Sequence, residues 1–110
     1  PEGQCTWYVY NRAYQVGVKY DSYMGNGGAW SGKSGYTVSH EPKAHTALSF
    51  LPGQAGADVT YGHVAFVEAV KDDGSILISE MNVTGVARLT VSYRVFSADE
   101  AKKFWFVEGK

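Results

Sequence analysis

Cysteine is nearly absent from this chain: Cys5 is the single one in 110 residues. One thiol cannot close an internal disulfide, so a disulfide-stapled scaffold is excluded, although secretion is not. An excess of charge of either sign is also missing. Ten Lys and Arg stand against eleven Asp and Glu, for a net charge of −1. Nothing electrostatic therefore points to nucleic acid or an anionic membrane as the main partner. No apolar run approaches the length that spans a bilayer. Repeats, low-complexity tracts and charge blocks are lacking as well. The chain starts at Pro1 rather than Met and carries no signal peptide. Its size fits one domain over residues 1–110, and we expect it to be cut from a longer protein.

What the chain does have is aromatics, at 15 %, and thirteen glycines. Together they suggest short strands, tight turns and some stacking platforms at the surface. From Gln4 to about Val16 the apolar residues fall at Cys5, Val9, Ala13 and Val16, a helical spacing stopped by Gly17. A glycine-rich stretch follows, with room for one short helix near residues 29–33. Beyond it the pattern is that of strands: Tyr36–Ser39, Ala47–Leu51 ending at Pro52–Gly53, Gly62–Val70, Ile76–Val83, Arg88–Val95 and Trp105–Val107. Ser97 with Glu100 three residues later predicts a capping box on a short helix. One helix ahead of antiparallel strands gives an α+β fold.

Cys5 falls in the first turn of the predicted helix. Free N–H groups and a partial positive charge there favour the thiolate, which is the nucleophile. The same N–H groups could steady an oxyanion, with Gln4 next door as a side-chain donor. Burial as a small hydrophobe is the competing reading for a lone cysteine. A thiolate nucleophile needs a base, and three histidines are available. His40 and His45 lie in a polar stretch around Pro42 and read as solvated loop residues. His63 opens an apolar strand directly after Gly62, where a satisfied core histidine is the bland alternative.

The turn signal Asp73–Gly74 predicts a two-residue hairpin loop. Asp72 then faces Ser75, Val67 faces Glu80, Ala65 faces Asn82 and His63 faces Thr84. His63, Glu80 and Asn82 would share one face of the sheet. A loop at Asp72–Asp73 would instead set Asn82 opposite His63 and Glu80 diagonal to it. An odd-length loop would turn the carboxylate to the other face. A Glu and an Asn pointing inward from ILISEMNV are costly unless paired, and a histidine is the natural partner. Either could orient the imidazole while its second nitrogen takes the Cys5 proton.

The segments GQCTWYV, GNGGAW (Gly25–Trp30), Gly35–Val38, YGHVAFVE, DGS and ISEMN occur here in a fixed order. In that order they resemble the CHAP family, the cysteine, histidine-dependent amidohydrolases/peptidases, over nearly the whole chain. The resemblance implies a papain-like α+β fold with an N-terminal helix on a small antiparallel sheet. It implies Cys5 as nucleophile, His63 as base, Glu80 as the residue that orients the histidine and Asn82 as a fourth polar member. Gln4 matches a contributor to the oxyanion site. Where family members have a small turn with Gly, this chain reads EPKAHTAL, with His45 at the expected glycine. Only PEGQ stands where some members carry an acidic calcium loop, so neither a metal nor any other cofactor is expected.

The implied activity is cleavage of amide bonds in bacterial peptidoglycan through an acyl-enzyme. The bond would be N-acetylmuramoyl-L-alanine, as in an amidase, or one within the stem peptide or cross-bridge, as in an endopeptidase. Trp30 and Tyr61 are candidate substrate-binding walls, and Trp7 a further candidate with core packing as its alternative. The implied setting is a monomer acting on peptidoglycan, secreted or wall-associated or a phage lysin. A non-catalytic wall-binding module and a cysteine amidase acting on a non-wall amide are the competing functions.

Overall fold

Helix α1, Cys5–Gln15, forms where the 3.6-residue apolar spacing predicts it. It ends at Val16 with Gly17 in the left-handed region at φ 83°. Its inner face buries Tyr8, Val9 and Ala13. The computed structural model describes residues 4–83 and 85–110 of the chain. Pro1, Glu2 and Gly3 of the opening motif, and Thr84, lie outside them. A 3-10 turn over Gly27–Gly32 replaces the short helix expected near residues 29–33.

Six strands follow: β1 Val38–Ser39, β2 Ala47–Phe50, β3 His63–Val70, β4 Ile76–Met81, β5 Val91–Phe96 and β6 Trp105–Val107. They pair antiparallel in one sheet, in the order β1-β6-β2-β3-β4-β5. A short helix α2, Ala98–Ala101, sits between β5 and β6 and carries the expected capping box of Ser97 and Glu100. The architecture is α+β, as the sequence predicts.

The sheet is covered on both faces, which explains why HVAFVEAV and ILISEM read as almost continuous apolar runs. On one side α1 and the following loop pack Tyr8, Val9, Ala13, Tyr20 and Trp30 against Val64, Phe66 and Met81. On the other side Ala101 and Phe104 cover Phe50, Ala65, Ile78 and Phe96.

The β3–β4 hairpin corrects the predicted turn. Lys71 N–H donates to Ser75 O and Gly74 N–H to Lys71 O, leaving a three-residue loop, Asp72–Asp73–Gly74, with Gly74 at φ 85°. Val70 pairs with Ile76 and Ala69 with Leu77. The register then shifts at Glu68, so that Val67 meets Ile78 and Phe66 meets Ser79. The odd loop would have turned Glu80 away from His63. The extra residue at Glu68 restores the shared face. Continued to the strand end, the shifted register sets Asn82 opposite His63 and Glu80 diagonal, as the alternative Asp72–Asp73 loop would have done.

Candidate active site

Cys5 and His63 are both terminal residues, the first of α1 and the first of β3. The helix packs on the face lined by Val64 and Phe66. The parity of His63 points it to the other face, where its ring lies 5.1 Å from that of Phe50. The two side chains meet at the sheet's end, on one groove, close enough that each shifts the other's titration. His63 Nε2 lies 3.0 Å from Glu80 Oε1, which leaves Nδ1 for the sulfur. Glu80 has no solvent exposure and His63 only 7 %.

Burial by itself would push the Cys5 thiol up. The hydrogen bond and charge of His63, with the N–H groups of Val64 and Thr6, outweigh it and hold the thiol below its ordinary value. Burial likewise disfavours the imidazolium, but Cys5 and Glu80 overcome this and raise His63 to about 9. Both shifts favour a thiolate–imidazolium pair at neutral pH. Gln4 begins the helix in an extended conformation, with no side-chain cap and no acidic residue in the first turn. Among the described residues, no acidic side chain of the first turn compensates the positive end of α1 beside the sulfur.

Glu80 has a second partner that the sequence reading missed. Arg94 of β5 donates from Nε to Oε2 at 2.6 Å and from Nη2 to Oε1 at 2.8 Å. Burial would raise the Glu80 carboxyl. Hydrogen bonds from His63 and Arg94 and their charges keep it lowered instead. In the thiolate–imidazolium form, sulfur, imidazole, carboxylate and guanidinium alternate in sign. In the sequence Val91, Tyr93 and Val95 look like the inward parity of β5. Tyr93 and Val95 are instead 63 % and 55 % exposed, while Ser92 pairs with Glu80 and Arg94 with Ile78. The available signal was the chemistry of Glu80, since a buried carboxylate needs more donor partners than one imidazole offers.

Other expected site residues divide. Asn82 does not point inward: it lies past the end of β4, exposed, with φ 64°. The left-handed backbone, which Asn tolerates, takes its side chain out of the strand's alternation. It borders the same groove as Cys5 and His63, but the Nε2 partner of His63 is Glu80. Trp30 is a core residue, 1 % exposed, with Nε1–H donating to Gly25 O at 3.1 Å and its ring 5.1 Å from that of Tyr20. It does not line the groove of Cys5 and His63, but it borders the same neighbouring hollow as Trp7. Tyr61, 58 % exposed, lines the groove, as do Gln4 and Arg94. Trp7 is exposed and borders a second, neighbouring hollow of about 360 Å³. His40 is exposed, with its ring stacked on Trp105, and His45 is exposed as expected. His45 has φ 64°, which explains why a glycine suits that position.

The groove encloses about 870 Å³, within the range of ligand-binding clefts. Among the described residues no three His, Cys, Asp or Glu side chains converge as a metal site. The arrangement suits nucleophilic attack on a carbonyl carbon, with proton transfer by the imidazole.

Comparison with known proteins bears on the family and the fold. The CHAP domain family profile matches residues 1–82. An N-acetylmuramoyl-L-alanine amidase domain-containing protein of Staphylococcus aureus is 48 % identical over all of this chain, which spans 18 % of that protein. A Staphylococcus aureus protein named "Probable autolysin SsaALP" is 40 % identical over 96 % of the chain and 38 % of its own length. A crystal structure of an N-acetylmuramoyl-L-alanine amidase from Staphylococcus aureus superposes with a TM-score of 0.93 at 48 % identity. It covers the whole chain and 31 % of the solved one. The chain thus spans less than two fifths of each of these relatives.

Proposed function

This chain belongs to the CHAP domain family, and on that premise we propose that it is a cysteine-dependent hydrolase of bacterial peptidoglycan. The observation that carries the reading is the pairing of Cys5 with a His63 whose other nitrogen is held by the buried Glu80. In this reading the Cys5 thiolate attacks the amide carbonyl carbon. The oxyanion lies at the start of α1, where the Cys5 N–H and the Gln4 side chain can donate. The imidazolium of His63 then protonates the leaving nitrogen, which departs as an amine. A thioester remains. His63, now neutral, takes a proton from water, and the resulting hydroxide attacks the thioester and regenerates the thiolate. Glu80 holds the ring and its tautomer throughout. Asn82 and Tyr61 act at the groove as substrate contacts.

The names of the relatives favour the bond between the muramoyl group and L-alanine, and a site of action in or on the wall. We take residues 1–110 as one catalytic domain of a longer secreted protein. A wall-binding module without activity would have no use for a carboxylate with zero exposure, since burying that charge costs stability. Cys5→Ser is expected to fold, to bind purified Gram-positive walls and to leave their turbidity unchanged while the parent clears them. Clearing by the Ser variant at the parent rate would refute the hydrolase reading. Mass spectrometry of the released muropeptides then identifies the bond. A free L-alanine N-terminus marks the amidase reaction, and new N-termini within the stem or cross-bridge mark an endopeptidase.

A further inference from the structure

Arg94 is held as tightly as it holds. Beyond its fork on Glu80, its Nη1 donates to Ala55 O at 2.9 Å. Its guanidinium carbon lies 5.2 Å from the ring centre of Phe50 and 5.1 Å from that of Phe96. Two aromatic faces and a carbonyl fix the plane of the guanidinium, and so the direction of both bonds to the carboxylate. Phe50 also packs against His63. Among the described residues, the charged or titratable groups that meet Glu80 are His63 from β3 and Arg94 from β5. Cys5 of α1 stands behind His63, β2 presents only the Phe50 ring, and the Gln54–Gly56 turn presents only the Ala55 carbonyl. Asp58 lines the same groove, but its Oδ1 is occupied by the N–H groups of Thr60 and Tyr61.

We propose that Arg94 is a positioning residue for the Cys5–His63–Glu80 relay, keeping Glu80 ionised and turned so that Oε1 faces His63 Nε2. The proposal rests on the reading of Cys5 as nucleophile. Without the guanidinium, Glu80 would keep a buried charge with one partner and an oxygen, Oε2, with none. Such a group relieves itself by taking a proton or by rotating. Either change removes the acceptor that fixes the imidazole tautomer, and so weakens the imidazolium that sustains the thiolate. A lysine ammonium restores the charge but cannot reproduce the planar fork.

The test uses Arg94→Met and Arg94→Lys, each checked for folding by near-ultraviolet circular dichroism. Two readouts are followed against pH: wall clearing, and the rate of alkylation of Cys5 by iodoacetamide, specific because the chain has one cysteine. In Arg94→Met the acid limb of alkylation should move up by about one pH unit or more, as a less stabilised Glu80 takes its proton earlier. In Arg94→Lys that limb should stay near the parent's while kcat falls about tenfold at unchanged KM. A folded Met variant whose limb coincides with the parent's overturns the proposal. If the Met variant does not fold, a Lys variant with the parent's kcat overturns it. Alkylation needs no wall substrate. A parent that fails to clear walls therefore refutes the hydrolase reading and leaves the effect of Arg94 on Cys5 still measurable.

Discussion

The imidazole of His63 has Glu80 at 3.0 Å on Nε2 and the Cys5 thiol on its other side, so its protonation follows two neighbours that both prefer it charged. Its folded value of about 9 lies above the ordinary 6.5. The imidazolium therefore contributes stability that is fully present below pH 6.5 and lost as pH rises through about 9. Cys5 is shifted the other way, so the thiolate contributes above its ordinary value of 9.0 and loses this as pH falls through its lowered one. Wall clearing is expected to hold a plateau across neutral pH and to fall above about pH 9 as the pair loses its proton. Glu80→Gln removes the anion that supports the imidazolium. The alkaline limb should then move to lower pH and turnover should fall roughly 100-fold in a folded protein. A Gln variant with the parent's rate and limb would show that the charge of Glu80 does not support the imidazolium.

α1 and β3 bring Cys5 and His63 together only because the chain before β3 passes unusually close to its neighbours. Gly62 has φ 69°, and Gly28 N–H donates to Tyr61 O at 2.9 Å. A Cβ at Gly62 would run into Phe50 O and stand 2.6 Å from Gly28 Cα. Gly62→Ala is expected to cost roughly 2–4 kcal/mol from the left-handed backbone and the clash. That would lower the melting temperature by about 10 °C. His63 would be displaced in the same step, so clearing should fall further than stability explains. A melting temperature within about 2 °C of the parent's would show that the close approach is not required. The elements themselves were legible: helical spacing located α1, alternation and turn residues located the strands, and Ser97 with Glu100 located α2. Hairpin register was not, because the bulge at Glu68 is supported by contacts made from another element.

Those contacts join the two layers of the molecule. Arg12 of α1 donates to Glu68 from Nε at 2.9 Å and Nη2 at 2.8 Å. Ser79 Oγ reaches Glu68 Oε2 at 2.6 Å, and Tyr8 O–H reaches Ser79 at 2.8 Å. The helix carrying Cys5 is thereby tied to both strands of the hairpin carrying His63 and Glu80. Arg12→Met keeps much of the stem packing but leaves the half-buried Glu68 with Ser79 alone. A loss of roughly 1–3 kcal/mol follows, seen as an earlier thermal transition by circular dichroism. Reduced clearing is expected as well, because the distance between helix and hairpin is the distance between sulfur and ring. An unchanged melting temperature would mean that apolar packing around Val9, Ala13 and Phe66 holds the layers without the clamp.

The sequence by itself determined the fold class and the helix that opens on Cys5, and it marked Cys5, His63, Glu80 and Asn82 as candidates while leaving open which of the last two meets the imidazole. Local periodicity and the cost of burying a carboxylate are properties of short segments, and they are readable without contacts. Tertiary structure decided the rest. It turned Asn82 outward, buried Trp30, set the register through Glu68 and supplied Arg94 from a strand whose apolar parity faces the other way. Each of these depends on which residue of a distant segment arrives at a given place, and no local pattern in the chain encodes that arrival.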